Sequence, residues 1–352
     1  MFDLIKELTE LTGPIGQEKI VLDYIENLWQ SLGATTERTR VGNVLARRPR
    51  PGAKKLLLAA HADELCYLVR YIDANGFLFL ANGQTWTRTT DLRNAFTIGS
   101  RVKILARSGL IPGVIGAATG HIGSLTLPDF KELNWNDFWV DTGLSREELL
   151  ARGVTPGTRL VWDAETVQWG DKIVGKALDD RVPLAVMTEV MRRVPVDELT
   201  WEVTFAATVQ EEIGTVGAFA LAAREQAGYG PFDAAIIVEI GLSGDIPTVG
   251  EKMLPLALGK GPGLIHKDSL VHYDHALTAA LEACAAANHI PIQHAVFGSC
   301  GSEGRAFTQA DIPSAMMVFP ARYTHSPFEM GHLGDIEKMV DWLSAFVRTE
   351  IN

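Results

Sequence analysis

The sequence predicts an α/β protein: a mostly parallel sheet with helices on both faces, plus an inserted small all-β domain. Apolar runs alternate with segments of helical period in residues 1–65 and 166–352, as expected for a parallel sheet covered by helices. Between residues 66 and 165 the pattern changes to short β-like runs separated by glycine and proline, which indicates a separate β module. The length of 352 residues also favours two domains.

The elements of the α/β portion follow from its periodicity. MFDLIKELTELTG predicts a short amphipathic helix, and QEKIVLDYIENLWQSLG predicts a longer one that stops at Gly33. The wholly apolar residues 56–60 predict a buried parallel strand. Further strands are predicted within EVTFAATVQ, DAAIIVEI and SAMMVFP, and helices within RVPLAVMTEVMRRV, GTVGAFALAAREQ and HALTAALEACAAANH and from about residue 335. We therefore expect one α/β domain (residues 1–65 and 166–352) split by a β domain (residues 66–165).

Composition argues against several classes of protein. The chain is 47% hydrophobic and 21% charged, as is ordinary for a globular protein. Its net charge of -11, without a Lys/Arg block, argues against nucleic-acid or anionic-membrane partners. No apolar stretch reaches the roughly 18 residues of a membrane span, and the charged N-terminus is unlike a secretory signal. Cys66, Cys284 and Cys300 lack CxxC spacing, so we expect free thiols and a cytoplasmic location.

Histidines and acids recur where the apolar runs end. Ligands of open α/β sheets bind at the carboxyl ends of the strands, so these groups are expected to lie at one edge of the sheet. A further aspartate pair precedes a predicted helix, and one histidine lies in the downstream loop YTHSPFE. The candidates are His61, Asp63, Asp179, Asp180, Glu211, Glu212, Glu239, His325 and Glu329.

This donor set favours a metal centre. Imidazoles and carboxylates suit Zn²⁺, Co²⁺ or Mn²⁺, and five ligand candidates fit two ions roughly 3.5–4 Å apart that share a carboxylate. Each group alone also has a structural explanation: a hydrogen-bonded histidine, a helix cap or a solvated turn. Asp63 either fixes the His61 tautomer or caps a helix. Neighbouring strand residues point to opposite faces, so one of Glu211 and Glu212 would bind metal and the other would move a proton.

Six motifs between residues 61 and 330 carry a resemblance to a known family. They are HADELCYLV, GKALDDRV, VQEEIGTVGA, IVEIGLSGDIPTVGE, GKGPGL and PARYTHSPFEM. As a set they resemble the tetrahedral dinuclear metallo-aminopeptidases, which include deblocking, glutamyl and leucyl aminopeptidases and some members labelled endoglucanase. The resemblance implies removal of N-terminal residues from short peptides through a hydroxide that bridges two divalent ions. It implies zinc, with cobalt or manganese as alternatives, and a homo-oligomer of twelve subunits in a hollow tetrahedron.

The resemblance also implies a role for each site residue. Asp179 would bridge the ions, Glu211 would be the general acid/base, and Asp63 would orient His61. The peptide between Asp179 and Asp180 would be cis, and the inserted domain would serve oligomerisation or access. One ion would be held by His61, Asp179 and Glu239, and the other by Asp179, Glu212 and His325.

Three segments depart from the family pattern. Glu239 stands where many relatives have aspartate, and Ser302 and Glu303 stand where they have threonine and aspartate. The stretch NGQTWTRTTDLRNAF matches poorly, and His121 and His266 are predicted to be structural.

Other functions stay open at the level of sequence. They are a dinuclear deacylase or carboxypeptidase, an inactive binding module, and a metal-free glycosidase. The glycosidase needs two carboxyls about 5–9.5 Å apart and leaves both site histidines without a role.

Overall fold

The computed structural model describes residues 1–84, 98–118, 135–229 and 232–350. The chain forms two compact units. The larger contains Met1–Asp63, Thr166–Thr324 and Phe328–Asn352, and the smaller contains Glu64–Glu165 with His325–Pro327. The larger unit is an α/β fold and the smaller a β-barrel, which confirms the predicted fold class.

Helices occur in both units. A 3₁₀ turn spans Val196–Glu198, and a π-helical turn spans Glu225–Tyr229. The described helices are α1 (Phe2–Glu10), α2 (Lys19–Ser31), α3 (Arg146–Ala151), α4 (Leu178–Arg193), α5 (Val216–Arg224), α6 (His275–Ala287), α7 (Gly304–Gln309) and α8 (Leu333–Phe346).

The strands divide between a large sheet and a barrel. The sheet contains β1 (Thr35–Arg38), β2 (Val44–Arg48), β3 (Lys55–His61), β10 (Val167–Trp169), β11 (Lys172–Gly175), β12 (Glu202–Thr208), β13 (Ala234–Leu242), β14 (Gly263–Lys267), β15 (Gln293–Val296), β16 (Ser314–Arg322) and β17 (Glu329–His332). The barrel contains β4 (Tyr67–Ile72), β5 (Leu78–Asn82), β6 (Arg101–Ala106), β7 (Gly109–Ala117), β8 (Phe138–Asp141) and β9 (Arg159–Trp162).

The centre of the large sheet is parallel. Its strand order is β1-β2-β12-β3-β13-β16-β17-β11-β10, and β14 pairs with β15 and β16. Strands β12, β3, β13 and β16 are mutually parallel neighbours, whereas the flanking pairs are antiparallel. These flanking strands are not evident from the sequence, because short, half-polar strands such as TTER lack an apolar run.

Alternation along β3 explains why helices cover both faces of the sheet. Leu56 and Leu58 belong to a core shared with α1, α2, α4, α6 and α8, whereas Leu57 belongs to a core shared with α5 and α7. Successive strand residues point to opposite faces, so an uninterrupted apolar run fills two cores. Each fully buried leucine contributes about 1.5–3 kcal/mol, and a charged residue at any of these positions would break the sheet.

The smaller unit is a closed barrel with strand order β4-β5-β8-β7-β6-β9. Closure leaves no unpaired strand edge. Alternate residues such as Val102 and Ile104 are fully buried inside it. Helix α3 begins with a capping box in which Ser145 and Glu148 each accept a hydrogen bond from the other's backbone N–H.

Two further predictions concern the chain as a whole. Cys66, Cys284 and Cys300 are free thiols, as predicted. Among the described residues, no helix has the length and apolar character needed to cross a membrane.

Candidate metal centre

The parallel strands bring the candidate residues to one edge of the sheet. His61 is the last residue of β3 and pairs with Thr208, the last residue of the neighbouring β12. The chain leaves β12 through residues 209–217, which carry Glu211 and Glu212. Glu239 lies in β13, on the other side of β3. Residues far apart in sequence therefore converge because their strands are adjacent and in register.

A first group of possible ligands surrounds His61. Ligand atoms of His61, Asp179, Asp180 and Glu239 all lie within 4.8 Å of one another, and all four residues are buried. His61 Nε2 is 3.0 Å from Asp179 Oδ1. The His61 backbone N–H donates to Asp180 Oδ2 at 3.1 Å, so Asp180 also fixes the end of β3. The Asp179–Asp180 peptide is cis, as the resemblance implied.

A second group shares one member with the first. Ligand atoms of Asp179, Glu212 and His325 also lie within 4.8 Å of one another. Asp179 is thus the carboxylate common to both groups. Its backbone N–H donates to Glu329 Oε2 at 3.0 Å, which gives Glu329 a positioning role that the sequence did not indicate.

The electrostatics of the first group favour a bound cation. Burial raises the pKa of Asp180 well above its ordinary value, and the charge of Glu239 adds to the rise. Burial also raises the pKa of Glu239 to about 7; His61 opposes this rise and Asp179 adds to it. Burial alone would lower the pKa of His61, but the hydrogen bond between its ring and Asp179 and the nearby carboxylate of Asp63 hold that pKa well above its usual range. A divalent cation would compensate these crowded buried charges, so the residues present fit a metal site.

Asp63 connects the first group to the residues that follow β12. It is fully buried, and its Oδ1 lies 3.4 Å from His61 Nδ1. The Glu211 backbone N–H donates to Asp63 Oδ1 at 3.0 Å, and the Glu212 N–H donates to Asp63 Oδ2 at 3.1 Å. One carboxylate therefore contacts a candidate ligand and also orients the two neighbouring glutamates.

Left-handed backbone is concentrated beside the candidate ligands. Such conformations are costly for residues with a Cβ and persist where the surrounding structure enforces them, often at functional sites. Seven described non-glycine residues have positive φ. One of them is the candidate ligand His325 (61°), and four others lie within three residues of a candidate ligand: Ala177 (51°), Gln210 (55°), Thr215 (54°) and Tyr323 (62°).

The segment that departs from the family pattern also lies close to the site. Glu303 is fully buried. Burial raises the pKa of Glu303 to about 7; the nearby Thr208 side chain and the charge of His61 oppose the rise, and the charge of Glu239 adds to it. Ser302 belongs to a different network, in which its hydroxyl donates to Asp268 Oδ2 at 3.0 Å.

The remaining predicted positions lie elsewhere. His266 is exposed and pairs with His294, with 2.9 Å between His266 Nε2 and His294 Nδ1. His121 and residues 85–96 of the poorly matching stretch lie outside the described residues. Two residues near the site were not anticipated, Glu18 and Asn43. Both are buried, and each stands in a sequence context that indicates only a helix start or a turn.

The fold and site together define a class of protein. The family model described as M42 glutamyl aminopeptidase matches residues 42–342. The chain therefore belongs to the M42 glutamyl aminopeptidase family.

Individual relatives match over nearly the whole chain. FrvX of Escherichia coli (strain K12) is 31% identical over 354 residues, 99% of this chain and 95% of that protein. The structure of aminopeptidase APDkam598 from the archaeon Desulfurococcus kamchatkensis is 27% identical with a TM-score of 0.90, covering 99% of this chain and 94% of that one. The Pyrococcus horikoshii TET1 peptidase, described as assembling into a tetrahedron or a large octahedral shell, is 27% identical with a TM-score of 0.83, covering 97% and 98%.

Proposed function

We propose that this protein is a metal-dependent aminopeptidase that removes N-terminal residues from short peptides. The observation that carries the proposal is a pair of ligand groups that share Asp179. Beside them, Asp63 accepts the backbone hydrogen bond of Glu211 and also contacts His61. Shared carboxylates are typical of sites that hold two ions, and two-metal sites occur in aminopeptidases. The family membership agrees with this chemistry.

Two divalent ions, zinc in our proposal, would be held by two sets of side chains. His61, Asp179 and Glu239 would bind one ion, and Asp179, Glu212 and His325 the other. The family resemblance implies an aspartate at position 239; the glutamate of this chain lies on β13, directly beside β3, and its carboxylate is part of the first group. Asp180 would hold the His61 backbone in place through the hydrogen bond that it accepts.

The residues of the chain divide the work of hydrolysis. When bound, the ions would lower the pKa of water from 15.7 toward about 7 and would polarise the scissile carbonyl. Glu211 is partly exposed beside the buried cluster. Its carboxylate would take the proton from the attacking water and deliver it to the leaving amine. Asp63 contacts both the His61 ring and the Glu211 backbone, so it would hold the two at a fixed distance and orientation.

The wider setting of the enzyme is also part of the proposal. The Pyrococcus horikoshii TET1 peptidase can assemble into a tetrahedron or a large octahedral shell, and we infer a homo-oligomer for this chain, with a twelve-subunit tetrahedron as the specific form. The inserted part of the smaller unit, Glu64–Glu165, would serve assembly or substrate access, and the larger unit together with His325 would carry catalysis. Three free thiols and a net charge of -11 agree with a cytoplasmic enzyme that acts on peptides rather than on nucleic acids or membranes.

Matched peptides test this function against its alternatives. One sequence is prepared with a free N-terminus, with an acetylated N-terminus, and with a free N-terminus and an amidated C-terminus. An aminopeptidase releases the first residue from the first and third peptides and leaves the acetylated one intact. Cleavage of the acetylated peptide would indicate a deacylase, release of the last residue a carboxypeptidase, and chelator-resistant cleavage of a β-glucan a glycosidase.

A further inference from the structure

The segment that carries Glu211 is a closed loop, which we call the Glu211 loop and define as residues 209–217. Its two ends meet, because the Gly217 N–H donates to the Val209 carbonyl at 2.9 Å. Its interior is compact, because the Thr215 N–H donates to the Glu211 carbonyl at 2.8 Å. A displacement of the ends would therefore move Glu211 as well.

The side chain of Asn43, which lies outside the loop, clamps the two ends together. Asn43 Oδ1 accepts the Val209 N–H at 3.2 Å, and Asn43 Nδ2 donates to the Gly217 carbonyl at 2.9 Å. Asn43 is fully buried, so water cannot replace either partner. The two contacts also fix the orientation of the amide, because only its oxygen accepts and only its nitrogen donates.

The sheet explains why Asn43 lies at this position. Strands β2 and β12 are antiparallel, and Val44, the first residue of β2, lies opposite Ala207 near the end of β12. Asn43 immediately precedes β2, so it lies beside the point where the chain leaves β12. Its own backbone is held by the turn between β1 and β2, where the Asn43 carbonyl accepts the Thr39 N–H at 2.9 Å. The clamp is thus anchored in the sheet that carries the candidate ligands.

Gly217 shows how closely the loop ends approach each other. A Cβ atom at this position would lie 2.5 Å from Asn43 Oδ1 and 2.6 Å from the Val209 backbone nitrogen. Both distances are shorter than nonbonded contacts allow, so a larger residue would force the ends of the loop apart. Glycine is required here because the backbone and the amide meet so closely.

We infer that Asn43 is a positioning residue for Glu211. It holds the two ends of the loop, whereas Asp63 holds the middle by accepting the N–H groups of Glu211 and Glu212 at 3.0 and 3.1 Å. Together these contacts set where the Glu211 carboxylate lies relative to the proposed metal ligands. The inference rests on the proposed role of Glu211 as general acid/base. Small displacements of such a group cost rate without weakening substrate binding.

The first test compares Asn43→Ala with the wild-type holoenzyme in saturating zinc. We expect Asn43→Ala to lower kcat by about 10²-fold with little change in KM, because the proton-transfer group is displaced while substrate binding is kept. Metal content should stay at the wild-type level, because Asp63 still holds the Glu212 backbone. Backbone amides of residues 209–217 should exchange hydrogen faster, as measured by mass spectrometry.

Two further variants disturb the same clamp in different ways. Gly217→Ala leaves Asn43 intact and forces the loop ends apart, so it should also lower kcat and speed loop exchange. If Asn43→Ala fails to fold, Asn43→Asp takes its place and should show the same changes. Asp keeps the side-chain volume and the acceptor for the Val209 N–H, but it loses the donor to the Gly217 carbonyl.

A double variant shows whether Asn43 acts through Glu211. Once Glu211 can no longer transfer a proton, its exact position should matter little. In a Glu211→Gln background, Asn43→Ala should therefore lower kcat by less than about threefold. An equal loss of kcat in both backgrounds would overturn the inference, because it would show that Asn43 supports the enzyme by another route.

Gln293 provides a matched control, because its side-chain amide bridges backbone groups in the same way. Its Oε1 accepts the Ala257 N–H at 2.9 Å, and its Nε2 donates to the Gly261 carbonyl at 2.6 Å. Gln293→Ala should lower the melting temperature and leave kcat and exchange in the Glu211 loop unchanged. Wild-type loop exchange in Asn43→Ala, or loss of metal from it, would overturn the inference. The exchange measurement needs no substrate, so a wild-type enzyme that cleaves no peptide would refute the proposed function separately.

Discussion

Buried aspartates have different neighbours in two of the regions that the structure describes, the surroundings of Asp335 and the candidate metal centre. Asp335 is fully buried, and it accepts the N–H groups of Gly259 at 2.6 Å and Gly261 at 2.8 Å. In the candidate metal centre, by contrast, the neighbours of Asp180 and Glu239 include other acids, and burial together with those charges raises their pKa values. A buried acid surrounded by donors needs no ion, whereas acids that face one another do.

Asp268 shows the same contrast closer to the site. Its Oδ1 accepts two backbone N–H groups, from Leu270 and Val271, and its Oδ2 accepts the hydroxyls of Tyr273 and Ser302. Such a network holds a loop and is complete without a cation. Whether a buried carboxylate is a candidate metal ligand is therefore indicated by its neighbours, donors or other acids, rather than by its burial.

The largest effect should follow removal of metal. Dialysis against a chelator should abolish peptide hydrolysis and lower the melting temperature, because buried acids then lose the ions that compensate their charge. Adding back zinc, cobalt or manganese to separate samples should restore both and rank the metals. Full activity in the chelated, metal-free protein would show that the acids of the candidate metal centre, like Asp335, need no ion.

The next largest effect is expected at the neighbouring residues Glu211 and Glu212, whose proposed roles differ. Glu211→Gln should keep both ions and lower kcat by about 10²–10⁴-fold, because general acid–base help is lost. Glu212→Gln should lose metal instead, because Glu212 is a proposed ligand. Elemental analysis and steady-state kinetics on both variants check this. Equal metal loss, or normal hydrolysis by Glu211→Gln, would contradict the division of roles.

A moderate effect is expected at Asp63. Asp63→Asn should lower activity or metal affinity by about 10–100-fold, since residues that orient metal ligands typically contribute this much. The amide keeps one oxygen acceptor but loses the charge beside His61. Metal titration and kinetics would measure the change, with Asp274→Asn as the control that alters only the N-terminal cap of α6. Wild-type behaviour of Asp63→Asn would show that Asp63 is only structural.

The smallest functional effect is expected at Asp335, the buried aspartate outside the candidate metal centre. Asp335→Ala should destabilise the protein by about 1–3 kcal/mol, because two backbone donors lose their acceptor, and should leave metal content unchanged. Denaturant unfolding and elemental analysis of the same sample test both halves of the prediction. Loss of metal from this variant would show that an acid that already accepts backbone hydrogen bonds also supports the metal centre.

The sequence was sufficient to predict the gathering of candidate ligands, for a physical reason. Apolar runs that end in His61 and Glu239 mark buried parallel strands, and such strands present their ends at one edge of the sheet. Asn43 could not be identified in this way. Its hydrogen-bond partners, Val209 and Gly217, lie more than 160 residues away in the sequence, so only the tertiary structure reveals the contact.

The most direct measurement is anomalous scattering from crystals grown with zinc. We predict two peaks per chain, one among His61, Asp179 and Glu239 and one among Asp179, Glu212 and His325. Zinc at neither position, in crystals that contain the metal, would contradict the claim that these strand ends form a dinuclear centre.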